Sequence, residues 1–228
     1  MTGSVKTMVC LANSRKLSGR CVAGREIVDG EPVGWIRPVS NREHEEVSEY
    51  ERQYQDGSDP KVLDIISVPL IEPKPKSYQT ENWLLEPKYY WEKNGQADWG
   101  DLKVLADPVA DLWTSGLSTY NGRNDKIPLA TANTLDHSLR LVRVPQLSIL
   151  VFAPGAAFGE TKRRVQAHFH FNRQEYRLWV TDPIYERRYL QMENGQYELG
   201  ECYATVSIGE PHDGYCYKLV AAIIEPPA

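Results

Sequence analysis

Short apolar runs, separated by turn-forming residues, dominate both ends of the chain. VKTMVCLA (5–12), RCVAGREI (20–27), GWIRPVS (34–40) and VLDIISVPLI (62–71) each read as a strand. Asp29–Gly30 lies between the second and third runs and signals a hairpin, with spacing that points to a loop longer than two residues. The apolar pattern lapses from 42 to 59. There Glu43, Glu45, Glu46, Glu49, Glu51, Asp56 and Asp59 predict a short helix or a solvated loop. EPKPKS (72–77) reads as a proline-punctuated linker.

The last third returns to strands. LRLVRV and LSILVF (139–152) flank Pro145. RVQAHFHF (164–171) alternates, placing Val165, Ala167, Phe169 and Phe171 on one face and Gln166, His168 and His170 on the other. Asn172–Arg173 begins a turn, and EYRLWVT (175–181) alternates again, with Tyr176, Leu178 and Val180 opposed to Arg177, Trp179 and Thr181. An antiparallel sheet with one wet face has this signature. YATVSIG (203–209) and YCYKLVAAII (215–224) close the chain, the latter apolar on both faces and so expected to be central. Residues 78–135 lack a clean period. Leu102, Leu105, Val109, Leu112 and Trp113 predict helix over 100–116, kinked at Pro108.

These elements predict a mainly β, β-rich α+β protein. It has a first small β module (1–77), a mixed insert with short helices (78–135) and a second small β module (136–228). A chain of 228 residues can bury a real core without metal or disulfides. The longest apolar run, LVAAII, is strand-sized, and the N-terminus shows no signal-peptide pattern, so no membrane association and a cytoplasmic location are expected. Cys10, Cys21, Cys202 and Cys216 form no C-x-x-C pair and read as small apolar strand residues.

Charge sharpens the picture. The net charge is −5, yet the first 25 residues carry five basic side chains and no acid. NSRKLSGR (13–20) reads either as a glycine-containing basic loop that brings Arg15, Lys16 and Arg20 to a phosphate or as a solvated hairpin loop, with Arg25 following; the 42–59 acids either lie on the opposite side or compete with the ligand. In GWIRPVS, Trp35 and Arg37 share a strand face. They form either a stacking platform or a core tryptophan beside an arginine paired with an acid. Arg163, Arg164, His168, His170, Arg173, Arg177 and Trp179 line one polar face of a two-stranded ribbon, and Tyr176 is a further stacking candidate. Asp182 reads as a turn-capping carboxylate. Phosphate-cradling, dinucleotide, zinc-protease and nucleophile-elbow motifs are all missing, so no catalytic residue, metal or cofactor is assigned.

CLANSRKLSGRCVAG, GWIRPVS, LWVTDP and the terminal YCYKLVAAII together resemble a bacterial family, the dual OB-containing domain family. The resemblance covers nearly the whole chain. It implies that the two β modules are OB-like barrels, and that the protein contacts nucleic acid, often in a defence or mobile-element setting. In OB folds the first inter-strand loop is one of the places where oligonucleotides bind. The resulting reading is a non-enzymatic nucleic-acid-binding protein. Its expected contacts are Arg15, Lys16, Arg20, Arg25, Trp35, Arg37, Arg163, Arg164, His168, His170, Arg177 and Trp179. A protein-interaction module, or an enzyme or sensor acting on a nucleotide in the inter-module cleft, is the alternative.

Overall fold

The structure is a computed structural model that describes residues 3–227. It divides into two compact units, one running to Leu105 and adding Leu135–Ser138, the other formed by Ala106–Thr134 and Leu139 onward. The stretch 78–135, expected as an insert between modules, is therefore shared between the units, its first part completing one barrel and its second part flanking the other.

The first unit contains β1 (Ser4–Lys16), β2 (Gly19–Val28), β3 (Glu31–Val39), α1 (Glu49–Arg52), β4 (Asp64–Pro73), β5 (Asn82–Leu85), β6 (Glu92–Gln96) and α2 (Leu102–Leu105). Its sheet runs β1-β2-β3-β5-β4, and β4 pairs back onto β1 to close a five-stranded barrel, with β6 added beside β4. Only β3 and β5 run parallel, through Arg37↔Asn82, Pro38↔Trp83 and Val39↔Leu84. β1 closes the ring because it serves two neighbours: Ser4–Val9 pairs with β4, and Met8–Lys16 pairs with β2. A bulge between Cys10 and Ala12 marks where it turns from one to the other. At that bend β2 passes so close that a Cβ on Gly24 would lie 2.1 Å from the Val9 carbonyl oxygen. Met8, Cys10, Val22, Ile36, Ile66, Val68, Leu70, Leu85 and Trp91 fill the interior.

The second unit contains β7 (Lys126–Pro128), α3 (Leu129–Ala132), β8 (Leu139–Phe152), a 3-10 turn at Ala156–Phe158, β9 (Arg164–Phe171), β10 (Gln174–Val180), α4 (Pro183–Leu190), β11 (Gly195–Ile208) and β12 (Tyr215–Ile224). Its strands repeat the same circuit. β10-β9-β8-β11-β12 form the sheet, and β10 pairs parallel with β12 through Trp179↔Leu219 and Val180↔Val220. β8 plays the part of β1, pairing along its length with β11 and, from Leu147, with β9. LRLVRV and LSILVF are thus one strand across Pro145, whose missing N–H falls beyond the start of the β9 pairing. Both units are mainly β barrels of OB topology, with a helix between the third and fourth barrel strands in each. Asp182 caps α4, accepting from the backbone N–H groups of Ile184 and Tyr185, with Pro183 in the first turn.

Three local expectations change. The Asp29–Gly30 loop has only two residues, with φ of 52° and 85°, and joins the paired residues Val28 and Glu31; both central residues are left-handed, as a type I′ turn requires. The helix predicted over 100–116 is limited to α2. Beyond it the Asp107 N–H donates to Leu141 O, while the Leu141 N–H donates to the Asp107 carboxylate, which ties this stretch to β8 instead. The carbonyls of Leu112 and Trp113 are taken by the Lys218 ammonium, 3.1 Å from each. Lys218 itself is fully buried in the strand that reads as wholly apolar.

Gly24→Ala is expected to destabilise the fold by about 3 kcal/mol, because a methyl group there must displace backbone. Gly34→Ala, which faces open space, should be nearly neutral. Urea unfolding midpoints of the two variants make the comparison.

Candidate nucleic-acid interface

The basic stretch near the N-terminus is a β-hairpin and not a loop. Arg15 pairs with Arg20 and Lys16 with Gly19, leaving Leu17–Ser18 as the turn. Arg15 is exposed, while Lys16 and Arg20 are half-buried. The tip packs against the acidic segment instead of lying apart from it. Arg20 and Val47 exchange both backbone hydrogen bonds at 2.9 Å, and Ser18 Oγ donates to buried Glu46 at 3.4 Å. Glu46 also pairs with Arg42 at 3.3 Å.

The outer face of β3 is covered. Ile36 points into the barrel, so Trp35 and Arg37 point out of it, yet they are only 7% and 4% exposed. Arg25 on the neighbouring strand lies over the Trp35 ring at 4.8 Å, and its Nε donates to Leu105 O at the end of α2. Arg37 meets Glu81 at 2.9 Å and Ser138 Oγ at 2.8 Å. Ser138 donates in turn to Glu81. Arg25, Trp35 and Arg37 therefore hold α2 and the 135–138 segment against the first barrel, so of the two readings of GWIRPVS the structural one holds. The acid partner is Glu81 and not one from 43–51.

The matching face of the second barrel is only partly covered: Gln166 and Ser148 are buried, while Trp179 and His168 are half-buried and Arg177 is exposed. Register across four strands sets its side chains in two transverse rows. Glu198, Ser148, His168 and Arg177 form one, and Gln196, Leu150, Gln166 and Trp179 the other, on β11, β8, β9 and β10 in turn. Trp179 is half-buried and stacks on Phe152, with centroids 5.7 Å apart, and the Arg164 guanidinium lies 3.9 Å from its ring centre. His168 Nε2–H donates to Gln166 Oε1 at 2.7 Å, and Gln166 Nε2 donates to Asn121 O. Burial and the nearby Arg177 charge hold the His168 imidazole below its usual pKa, so it is neutral at pH 7. His170 is exposed opposite Glu175. Arg177 meets Glu175 at 2.7 Å, and this hydrogen-bonded pairing lowers the Glu175 pKa. Arg163 lies off this face in function: it donates to the carbonyls of Leu190 and Met192 and to Asn194 beyond α4. Tyr176 is fully buried against Phe169 and is no stacking surface.

Three further exposed residues of this unit carry aromatic or basic side chains and were not expected. Tyr120 is 89% exposed in the segment whose Asn121 carbonyl holds Gln166. Arg123 forms a backbone bridge with Arg177 and approaches Glu175 at 3.7 Å. Phe158 is 81% exposed in the β8–β9 connection, the first inter-strand loop of this barrel. Their only sequence signal is an aromatic or arginine beside glycine (YNGR, AFGE). Charge is divided unevenly as well. The first unit has 14 basic and 18 acidic side chains, the second 12 and 13, so most of the net negative charge lies on the first. Among the described residues no group of three or more His, Cys, Asp or Glu is arranged to hold a metal ion.

The family model for the dual OB-containing domain matches residues 6–223, and the chain belongs to that family. No curated protein and no solved structure matches it.

Two outcomes test the structural assignments. Arg37→Ala should cost about 3–5 kcal/mol in chemical unfolding, since it leaves the Glu81 carboxylate buried without its cation. Burial lowers the Lys218 pKa to about 8. Between pH 8 and the ordinary lysine value the unfolded chain then binds more protons at this site than the folded one, so stability rises with pH across that window. Lys218→Met should flatten this rise in unfolding curves taken from pH 7.5 to about 10.

Proposed function

We propose that this dual-OB protein binds single-stranded nucleic acid on the outer face of its second barrel, without catalysing a reaction on it. The observation that carries this reading is the Phe152–Trp179–Arg164 stack on the partly covered β8–β9–β10 face, flanked by His168, His170, Arg177, Arg123 and Tyr120. Aromatic surface for stacking, together with guanidinium groups that track a backbone, is the physical requirement of single-strand binding. Unstacked bases suit such a face better than a duplex, whose bases are already stacked on one another. Arg15, Lys16 and Arg20 at the first barrel's hairpin tip are a secondary phosphate contact in this proposal. The near balance of charge on the second unit keeps the long-range attraction modest and leaves recognition to short-range stacking. A defence or mobile-element setting is the part of the proposal that rests on the family resemblance alone.

A second reading, a protein-interaction module, is favoured by one observation. Tyr89 and Tyr90 stand 65% and 52% exposed on the first unit, beside Val5 and Pro69. It concerns a different surface, so the two readings are separable by mutation.

Fluorescence anisotropy with single-stranded DNA and RNA oligomers over a salt series tests the proposal. Affinity should fall as salt rises, and Arg164→Ala or Arg177→Ala should each reduce the slope by about 0.7 per lost phosphate contact. Trp179→Ala should cost about 1–3 kcal/mol of binding, and Tyr89→Ala/Tyr90→Ala nothing. An affinity indifferent to salt and to Trp179 would sink the proposal.

A further inference from the structure

Beside the stacking surface, the second barrel carries a concavity of about 440 Å³ lined by Pro145, Gln146, Ser148, His168, Gln196 and Glu198, with His170 and Glu175 at its edge. That volume suits a single small ligand. Its polar groups are organised around one carboxylate. Gln196 Nε2 donates to Glu198 Oε1 at 2.9 Å and to Ser148 Oγ at 3.2 Å, and Gln146 Nε2 donates to Glu198 Oε2 at 3.4 Å. The two amides fix the carboxylate on either side. A carboxylate has about four lone-pair sites, so each oxygen keeps capacity for a further donor.

The other carboxylate at the concavity, Glu175, is engaged by Arg177 at 2.7 Å and faces Arg123 at 3.7 Å. Glu198 has only neutral amides as hydrogen-bond donors here. A negative group so placed repels phosphate and attracts a donor edge. It shares a transverse row with Ser148, His168 and Arg177, and the next row ends at Trp179. Four adjacent strands span about 14 Å, so a base stacked on Trp179 and a group held at Glu198 belong to different nucleotides of one strand.

We propose that this concavity holds one unstacked base of the bound strand and selects guanine through the Glu198 carboxylate. This rests on the single-strand reading above. Guanine alone among the four bases presents two adjacent donors, N1–H and the N2 amino group, on its Watson–Crick edge, and these match the two oxygens of one carboxylate. Adenine and cytosine each offer one amino group beside an acceptor nitrogen. Uracil and thymine offer one N–H between two carbonyls. In each of these an acceptor is brought against the carboxylate, which is repulsive. Proteins read single-stranded bases on this edge, and a good bidentate contact discriminates by roughly 1–3 kcal/mol.

The test uses the full chain and short uridine oligomers that carry one central guanosine, adenosine or cytidine, beside the all-uridine oligomer, in RNA and DNA backbones. The guanosine oligomer should bind about tenfold more tightly than the others. Inosine in its place, which lacks the N2 amino group, should fall between. Glu198→Gln should abolish the preference, bringing the guanosine, adenosine and cytidine oligomers to one common affinity, and because Glu198 is exposed the variant keeps its fold. Equal affinity for all four oligomers, an inosine oligomer bound as well as guanosine, or a preference that survives Glu198→Gln overturns the proposal. Failure of every oligomer to bind overturns instead the single-strand reading on which it rests.

Discussion

Each unit depends on one long strand that must satisfy two neighbours in turn. β1 gives its first half to β4 and its second half to β2. β8 keeps β11 along most of its length and adds β9 from Leu147 onward. A flat sheet cannot close in this way, because its first and last strands lie on opposite sides and never meet. Coiling is obligatory, and the bulge at Cys10–Ala12 and the register shifts around Gly200 are where it is taken up. Once the ring closes, no edge is left in the barrel to pair with another chain, and every alternate side chain is committed to the inside or the outside. Function then has only the outside to use.

What the outside becomes is decided by flanking chain, not by the barrels, which share one circuit. In the first unit α2 and the 135–138 segment lie over β3, held by the Arg25 contact with Leu105 and by the buried Arg37–Glu81–Ser138 network. A buried arginine with a carboxylate and a hydroxyl is a demanding arrangement, since loss of any one member leaves a charge without compensation. Arginine and tryptophan on that strand are therefore fastenings. In the second unit the flanking segment runs instead along the outer edge of β10, where Arg123 and Arg177 exchange backbone hydrogen bonds. That adds side chains to the β9–β10 face and covers it only in part, where Asn121 holds the buried Gln166. The same arrangement, arginine over tryptophan, is thus buried under flanking chain in one barrel and half-exposed in the other.

The legible part of the fold was the part governed by local alternation. β9 and β10 read correctly to the face: Val165, Ala167, Phe169, Leu178 and Val180 are all buried, and His170 and Arg177 are exposed. β5 was not legible, being four residues, NWLL, that take their place only through parallel pairing with β3. Leu112 and Trp113 sit at helical spacing and are buried as a helix would bury them. The chain beyond α2 is held instead by the Asp107–Leu141 hydrogen bonds and turns at Trp113, whose φ of 52° no α-helix accommodates, while Lys218, about a hundred residues later, takes the Leu112 and Trp113 carbonyls. Arg37 is separated from Ser138 by 101 positions. No window of sequence contains both partners, so a basic residue beside tryptophan reads equally as a ligand contact or as a fastening.

Net charge was the least informative property, for a physical reason. A carboxylate counted in the total need not contribute to the field where a ligand approaches. Asp182 is spent on the N-terminus of α4 and on the Ile223 N–H, and Asp125 on the backbone and hydroxyl of Thr119. Glu81 and Asp64 are neutralised by Arg37 and Lys93 at 2.9 Å and 2.6 Å. Such groups act over a few ångströms on their partners, and screening removes most of what remains beyond about 10 Å in ordinary salt. On the outer face of the second barrel the local field is accordingly set by the few groups of its two transverse rows: one stacked tryptophan, the arginines beside it, and a carboxylate braced by amides at the far end. Net charge and local charge thus part company: Asp182 and Glu81 are buried against their partners, while Asp111 and Asp213 on the second unit are more than half exposed and remain in what the total reports there.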